Sequence, residues 1–132
     1  MLSRVTSRLP AEVERVAELT IGCAIEVHRR LGPGFREGVY QDALAIELEE
    51  NELTADREFA ATIRYRDRPL RTFRIDLVVH NLVIVELKSV EKLEQIHQAQ
   101  VLSYLRATEF RLGLLINFNT EVLRAGLKRI VL

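Results

Sequence analysis

The segment IDLVVHNLVIVELK, residues 75–88, places two apolar stretches on either side of a short polar break. Before the break, apolar side chains occupy alternate positions: Ile75, Leu77 and Val79. This alternation is typical of a strand with one buried face. Residues 82–90 predict a further strand, with apolar side chains on both faces near its start, as expected in the middle of a sheet. His80 and Asn81 mark the turn, because asparagine tolerates a left-handed backbone.

Three charged side chains interrupt these strands: Asp76 in the first, and Glu86 and Lys88 in the second. Alternation places Glu86 and Lys88 on one face, and places Asp76 opposite its apolar neighbours. Buried charges are unfavourable unless they are paired or bound to a metal ion. Two carboxylates and a lysine at one point suit Mg²⁺-assisted hydrolysis, because hard cations prefer oxygen ligands. A buried carboxylate–lysine ion pair is the alternative interpretation.

The length of the loop decides whether the two carboxylates share a face of the sheet. A two-residue loop would oppose Asp76 to Val85 and leave Glu86 on the other side. A loop of three residues, either 79–81 or 80–82, puts both carboxylates on one face. The first of these places Asn81 at the left-handed position that such loops require. A shared site therefore requires an odd loop.

Two helices are predicted before the strands and one after them. The buried face of the first helix comprises Val13, Val16, Ala17, Thr20, Ile21, Ala24, Val27 and Leu31, at spacings of three and four. Gly32-Pro33-Gly34 ends this helix. A second helix begins near Arg36, and its apolar stripe comprises Tyr40, Ala43, Leu44 and Leu48. A third helix is expected over residues 93–108.

The remaining strands complete the predicted sheet. Alternating apolar residues predict a strand with one buried face at Ala55, Phe59, Ala61, Ile63 and Tyr65, followed by a turn at Asp67-Arg68-Pro69. The apolar run 112–118 predicts a parallel strand, because a strand–helix–strand order forms a right-handed crossover. Residues 126–132 could be a strand or a helix end. The expected fold is α/β, with a three-strand antiparallel meander plus a parallel strand, flanked by helices on both faces.

Length and composition describe one domain over residues 1–132. The chain is 48% hydrophobic and 29% charged, as in soluble globular proteins. Its single cysteine, Cys23, excludes an internal disulfide bond. No apolar run approaches the ~20 residues of a membrane span, and the N-terminal residues resemble no secretory signal. The cytoplasm is therefore the expected location, without a membrane partner.

The charges balance overall but not locally. Lysine and arginine together number 19, as do aspartate and glutamate, so net charge does not support nucleic-acid binding. One basic cluster stands out, with a single acid at Asp67: Arg64, Arg66, Arg68, Arg71 and Arg74. Alternation would align Arg64, Arg66 and Arg68 in one row and place Arg74 on the face of Asp76. The cluster is either a phosphate-binding arm or a solvated hairpin.

Polar residues on two helices are further candidates. His97, Gln100 and Tyr104 recur at spacings of three and four and share a helix face. They could line a site, form a hydrogen-bond network or face solvent. Glu37 lies in the first turn of the second helix, where an acid also stabilises the helix dipole.

Residues 31–118 resemble the GxxExxY family of the PD-(D/E)XK nuclease superfamily. The naming motif stands as Gly34-Phe35-Arg36-Glu37-Gly38-Val39-Tyr40. The nuclease signature stands as Ile75-Asp76, nine residues, then Glu86-Leu87-Lys88, with isoleucine at the usual proline position. Gln100 and Tyr104 match the Gln-x-x-x-Tyr motif of some branches of the superfamily.

The resemblance implies a restriction-endonuclease-like core and a site for Mg²⁺ or Mn²⁺. Glu37, Asp76 and Glu86 would surround the metal, Lys88 would be the catalytic lysine, and Gln100 and Tyr104 would line the site. The leading hypothesis is a metal-dependent phosphodiesterase acting on DNA or RNA. The alternatives are a non-catalytic module that binds nucleic acid or protein, and a hydrolase of small nucleotides. The long first helix could cover the sheet or form a homodimer.

Overall fold

The computed structural model describes residues 9–132, so the first eight residues, part of the N-terminal segment used to predict the location, lie outside it. The helices are α1 (Ala11–Leu31), α2 (Glu37–Glu50) and α3 (Gln95–Ala107), with a short 3-10 turn at Leu123–Gly126. The strands are β1 (Ala55–Tyr65), β2 (Arg68–Val79), β3 (Val83–Lys88), β4 (Leu112–Asn117) and β5 (Leu127–Val131). The predicted order of helices and strands is confirmed, and the final segment is a strand.

The five strands form one mixed sheet in the order β1-β2-β3-β4-β5. β3 and β4 pair in parallel, and the other neighbours pair antiparallel. β3 is central and is buried along its length except at Lys88. Because α3 connects β3 to β4, the start of α3 lies close to the carboxyl end of β3, which carries Glu86 and Lys88.

Helices cover both faces of the sheet, as predicted. α1 and α2 contribute to a large apolar cluster that includes Val16, Leu44 and Leu77. α3 contributes Leu105 to a smaller cluster on the other face, together with Ile84. α1 therefore covers the sheet, which was one of its two predicted roles. Within residues 9–132, no helix is both long and apolar enough to cross a membrane.

Tyr40 fixes the loop between α1 and α2. Its side chain is fully buried and its ring stacks on Phe118, with the ring centroids 4.4 Å apart. Its hydroxyl donates to the carbonyl oxygen of Gly32 at 2.6 Å and accepts from the amide of Phe35 at 3.2 Å. Gly34 has a φ of 109°, a conformation that other residues rarely adopt. These contacts determine where α2 begins, and with it the position of Glu37.

The β1–β2 hairpin turns earlier than the sequence predicts. Its turn residues are Arg66 and Asp67, both with positive φ, and Tyr65 pairs with Arg68. The prediction of a turn at residues 67–69 was therefore wrong by one residue. Ile63 and Tyr65 are 41% and 63% exposed, so the predicted buried face does not extend to the end of β1. The reason is that β3 pairs with β2 only near Leu77–Val79, which leaves the hairpin tip beyond the sheet.

The hairpin also changes its buried face at Asp76. Ile75 contacts the smaller cluster, whereas Leu77 contacts the larger one, so the prediction that both point the same way was wrong. The change coincides with Glu58, which lies across from Asp76 on β1 with a φ of 51°. A consequence is that Arg74 and Asp76 lie on opposite faces, contrary to the alternation expected from the sequence.

Candidate functional site

The loop between β2 and β3 contains three residues, 80–82, because Val79 pairs with Val83. This is the second of the two odd loops predicted. His80 and Asn81 both adopt positive φ, at 54° and 56°. Since Leu77 pairs with Val85, the next position on each strand is Asp76 and Glu86. The two carboxylates therefore face each other across the two strands.

Asp76 and Glu86 are held where the ladder between β2 and β3 ends. The Asp76 carboxylate accepts a hydrogen bond from the amide of Leu87 at 2.8 Å. The Glu86 carboxylate accepts a longer one, 3.5 Å, from the amide of Asp76. Each side chain thus takes the place of a backbone acceptor on the opposite strand. This exchange fixes both carboxylates without a separate supporting element.

Lys88 completes the group on β3. Its ammonium nitrogen lies 3.7 Å from Glu86 Oε2, and Glu86 is only 5% exposed. Burial, and then the charge of Asp76, raise the pKa of Glu86 to about 8, while Lys88 acts in the opposite direction. The pKa of Asp76 is also raised, first by burial, although the Leu87 amide lowers it. One lysine therefore does not compensate the charges of buried Glu86 and half-buried Asp76.

Tyr104 and Gln100 of α3 reach this group. Burial raises the pKa of Tyr104 to about 12, and the negative charges of Glu86 and Asp76 add to the effect. The Gln100 side chain, one turn earlier on α3, acts in the opposite direction and lowers the pKa of Tyr104. Tyr104, on the predicted polar face of α3, thus lies within electrostatic range of both carboxylates.

His97 has a local structural role as well. Its Nδ1 accepts the amide of Glu94 at 2.9 Å, while the Glu94 side chain accepts the amide of His97 in return. This reciprocal capping stabilises the start of α3. His97 also lines a cavity of about 410 Å³ together with Lys88 and Gln100. The residue therefore borders the candidate site, although its Nδ1 is already occupied.

Glu37 stands apart from the buried carboxylates. It is the first residue of α2 and is exposed, and its charge is the smallest of the effects raising the pKa of Glu86. Within residues 9–132, no group of three or more histidine, cysteine or acidic side chains is close enough to hold a metal ion. Asp76 and Glu86 are therefore brought together without Glu37, and a role for Glu37 as third ligand stays a prediction.

Glu58 is a neighbour of the site that sequence reasoning missed. Its negative charge raises the pKa of Asp76, and Gln41 of α2 donates to its carboxylate at 3.2 Å. Its φ of 51° is unusual for glutamate, and such strained residues cluster at functional sites. Glu58 lies on an exposed edge strand, so only the pairing of the hairpin brings it near Asp76.

The predicted arginines do not form a single row. Arg64 donates to the carbonyl oxygen of Asp67 at 3.2 Å, and Arg66 lies in the turn with its guanidinium 5.9 Å from the centre of the Tyr65 ring. Arg74 donates to the carbonyl oxygen of Glu58 at 3.4 Å. Arg68 opens β2 beyond the turn. The turn at residues 66–67 breaks the alternation that would have aligned them, and their contact with nucleic acid stays a prediction.

Comparison with known proteins gives one match. A family model described as the PD-(D/E)XK nuclease superfamily matches residues 14–130. The matched region includes Asp76, Glu86 and Lys88 together with α3. No curated protein and no solved structure matches the chain. The match covers most of the chain and agrees with the mixed α/β sheet, so the chain belongs to the PD-(D/E)XK nuclease superfamily.

Proposed function

We propose that the protein is a metal-dependent phosphodiesterase that cleaves DNA or RNA with Mg²⁺ or Mn²⁺. The observation that carries the proposal is the pairing of buried Glu86 with half-buried Asp76, with Lys88 beside them. Both carboxylates have raised pKa values, so the pair favours a bound proton or a bound cation. A structural ion pair would need only one carboxylate for one lysine.

The donor set fits Mg²⁺. This ion is usually bound through one or two carboxylates, keeps several waters, and takes further ligands from substrate phosphates. Asp76 and Glu86 would hold it, with Glu37 as a possible third ligand from α2. The chemistry that such a cation supplies is Lewis-acid activation of a phosphodiester and of the attacking water.

The chain's own residues would carry the remaining steps. Lys88, held near Glu86, would orient the attacking water or neutralise charge that develops on the phosphate. Gln100 and Tyr104 would border the substrate from α3. Tyr104 lies near enough to both carboxylates for their charges to raise its pKa. His97 would line the outer part of the same region.

Cleavage assays test this function directly. Single- and double-stranded DNA, RNA and free nucleotides are incubated with the protein in Mg²⁺, Mn²⁺ or EDTA. We expect metal-dependent cleavage of a polynucleotide, at least about 100-fold slower in Asp76→Asn and Lys88→Met, since each removes a proposed catalytic group. Glu121→Gln, an exposed acid outside the site, is the matched control. Cleavage that survives in Asp76→Asn would refute the assignment.

A non-catalytic module that binds nucleic acid is the second candidate. The absence of a three-ligand group within residues 9–132 favours it over catalysis. It predicts oligonucleotide binding that is insensitive to divalent cations and unaffected by Asp76→Asn. Cleavage of free nucleotides alone would instead support the small-nucleotide hydrolase.

We further propose membership of the GxxExxY family, a single domain over residues 1–132, a cytoplasmic location and a homodimer. Because one face of α1 packs onto the sheet, a homodimer formed through α1 would use the outer face of that helix. Light scattering of the purified protein would give the oligomeric state.

A further inference from the structure

Two cavities follow one another along α3, the first lined by Gln100 and the second by Tyr104. The first, about 410 Å³, lies between α3 and Lys88. The second, about 560 Å³, lies between α3 and the β1–β2 hairpin, and we call it the hairpin cavity. Ser103 lines both, so they adjoin each other. Together they form a path along α3 that includes Tyr104 and Lys88, and the Lys88 ammonium lies 3.7 Å from the Glu86 carboxylate.

The hairpin cavity has an aromatic wall. Phe73 of β2 and Tyr104 of α3 stack with their ring centroids 4.6 Å apart and their planes 15° apart. Both residues line the cavity and are only partly buried. The cavity volume falls in the range of ~300–1,000 Å³ typical of sites for small organic groups. Exposed aromatic rings of this kind bind unpaired nucleobases by stacking.

The charges along the path are complementary to a polyanion. The ionic or titratable groups that line the two cavities, apart from Tyr104, are basic: Lys88, His97, Arg64 and Arg106. By contrast, the cavity between α1 and α2 is lined by Glu18, Glu26 and Glu47. The chain therefore has a basic side along α3, although its net charge is zero. Phosphates approaching the carboxylate pair would be attracted to this side.

We propose that the substrate is single-stranded nucleic acid that lies along α3 and places an unpaired base in the hairpin cavity. The backbone of this nucleotide would pass Arg106 and reach the Asp76–Glu86 pair beside Tyr104. Bases in a duplex are stacked and paired, so they enter such a cavity only after they are flipped out. The proposal names the substrate class of the function proposed above and rests on it.

Binding is measured with fluorescent single strands and with the matching duplex, in EDTA, so that cleavage cannot interfere. The wild-type protein should bind the single strand about tenfold more tightly than the duplex. Ala107→Phe, which fills the hairpin cavity, should weaken single-strand binding about tenfold or more. This is the loss expected when one base no longer stacks on an aromatic ring, at about 1–3 kcal/mol per base. Phe73→Leu keeps an apolar side chain but removes the aromatic wall, and should weaken it similarly. Tyr65→Leu removes an exposed aromatic ring that does not line the hairpin cavity, and it is the matched control.

Thermal melts show which variants are folded. If Ala107→Phe is unfolded, Phe73→Leu alone tests the proposal. Equal or tighter binding of the duplex by the wild-type protein would overturn the proposal, as would unchanged single-strand binding in folded cavity variants. Asp76-dependent cleavage combined with that result would leave the phosphodiesterase intact and remove only the hairpin cavity. Cavity-dependent binding without any cleavage would leave the hairpin cavity as a binding site for a single strand and remove the phosphodiesterase.

Discussion

Glu86 is the residue whose protonation should be visible in the stability of the metal-free protein. Its pKa is about 8 in the folded state, above the ordinary value of 4.5, because it is buried beside Asp76. The folded state thus binds more protons than the unfolded state between these values. The contribution of Glu86 to stability is fully present below about pH 4.5 and is lost as the pH rises through about 8.

Glu86→Gln removes this titration and keeps the side-chain shape. We expect the variant to be more stable than the wild-type protein at pH 8.5 in EDTA, and the difference to shrink towards pH 5. Denaturant unfolding at several pH values measures it. Glu121→Gln, which changes the same charge at an exposed position, should show no such pH-dependent difference. An advantage of Glu86→Gln that is constant with pH would contradict a raised pKa.

Asp76 provides a second test at the residue scale, through metal binding. A cation that binds only the folded state adds about 2.7 kcal/mol of stability at a concentration 100 times its dissociation constant. We expect Mn²⁺ to raise the melting temperature of the wild-type protein. Asp76→Asn should remove most of this increase, although the asparagine oxygen can still accept the Leu87 amide. A melting temperature that ignores millimolar Mn²⁺ in the wild-type protein would count against a preformed metal site.

The sequence predicted Asp76, Glu86 and Lys88 as one group because strand periodicity and an odd loop suffice to place them. The structure selects the loop at residues 80–82, which the sequence left open. Glu58 could not be predicted in this way. It depends on long-range pairing with β2, and its positive φ has no sequence signal in a glutamate.

Among the structural elements, the loop between α1 and α2 is held by two hydrogen bonds of the Tyr40 hydroxyl and by one that the Ser89 hydroxyl donates to the carbonyl oxygen of Phe35. Tyr40→Phe keeps the stacking on Phe118 but leaves the carbonyl of Gly32 and the amide of Phe35 without this partner. We expect a loss of about 1–3 kcal/mol, as for buried polar groups left unsatisfied. Chemical denaturation measures the loss, and Tyr65→Phe, at a largely exposed tyrosine, should change stability little.

The hairpin turn shows why one element boundary was predicted wrongly. Asp67-Arg68-Pro69 contains strong turn residues, yet the chain turns at Arg66-Asp67. Pro69 instead lies in β2 opposite Arg64, beside a shift of register at which Leu70 of β2 has no partner in β1. Proline lacks an amide donor and is tolerated at such irregular or edge positions. The local signal was real, but pairing along the whole hairpin determined the register.

This turn can be tested by replacing Arg66-Asp67 with Asn-Gly. Both positions have positive φ, at 50° and 62°, and Asn-Gly is the preferred pair for a two-residue hairpin turn of this kind. We expect the double variant to gain about 1 kcal/mol, because left-handed backbone strain is relieved. A comparable loss of stability would contradict the turn and restore the predicted one at residues 67–69.

At the scale of the whole molecule, the fold separates charges that are balanced in the sequence. Acidic side chains line the cavity between α1 and α2, and basic side chains line the path along α3. The sequence could not show this separation, because Arg64 and Arg106 are far apart in the chain and only the packing of α3 on the hairpin brings them to one cavity. The composition of the chain therefore gave no support to a nucleic-acid partner. The basic residues that line the path along α3 do favour such a partner.

The salt dependence of oligonucleotide binding tests this separation of charge. For a single strand, each phosphate contact makes the slope of log affinity against log salt more negative by about 0.7, because counterions are released. Arg64→Ala combined with Arg106→Ala should therefore flatten the slope by roughly one to two units. The hairpin-tip pair, Arg66→Ala with Arg68→Ala, should flatten it less, since Arg66 lies in the turn, outside the path along α3. If the tip pair has the larger effect, the strand follows the hairpin tip, as the arginine-rich sequence first suggests, and not α3.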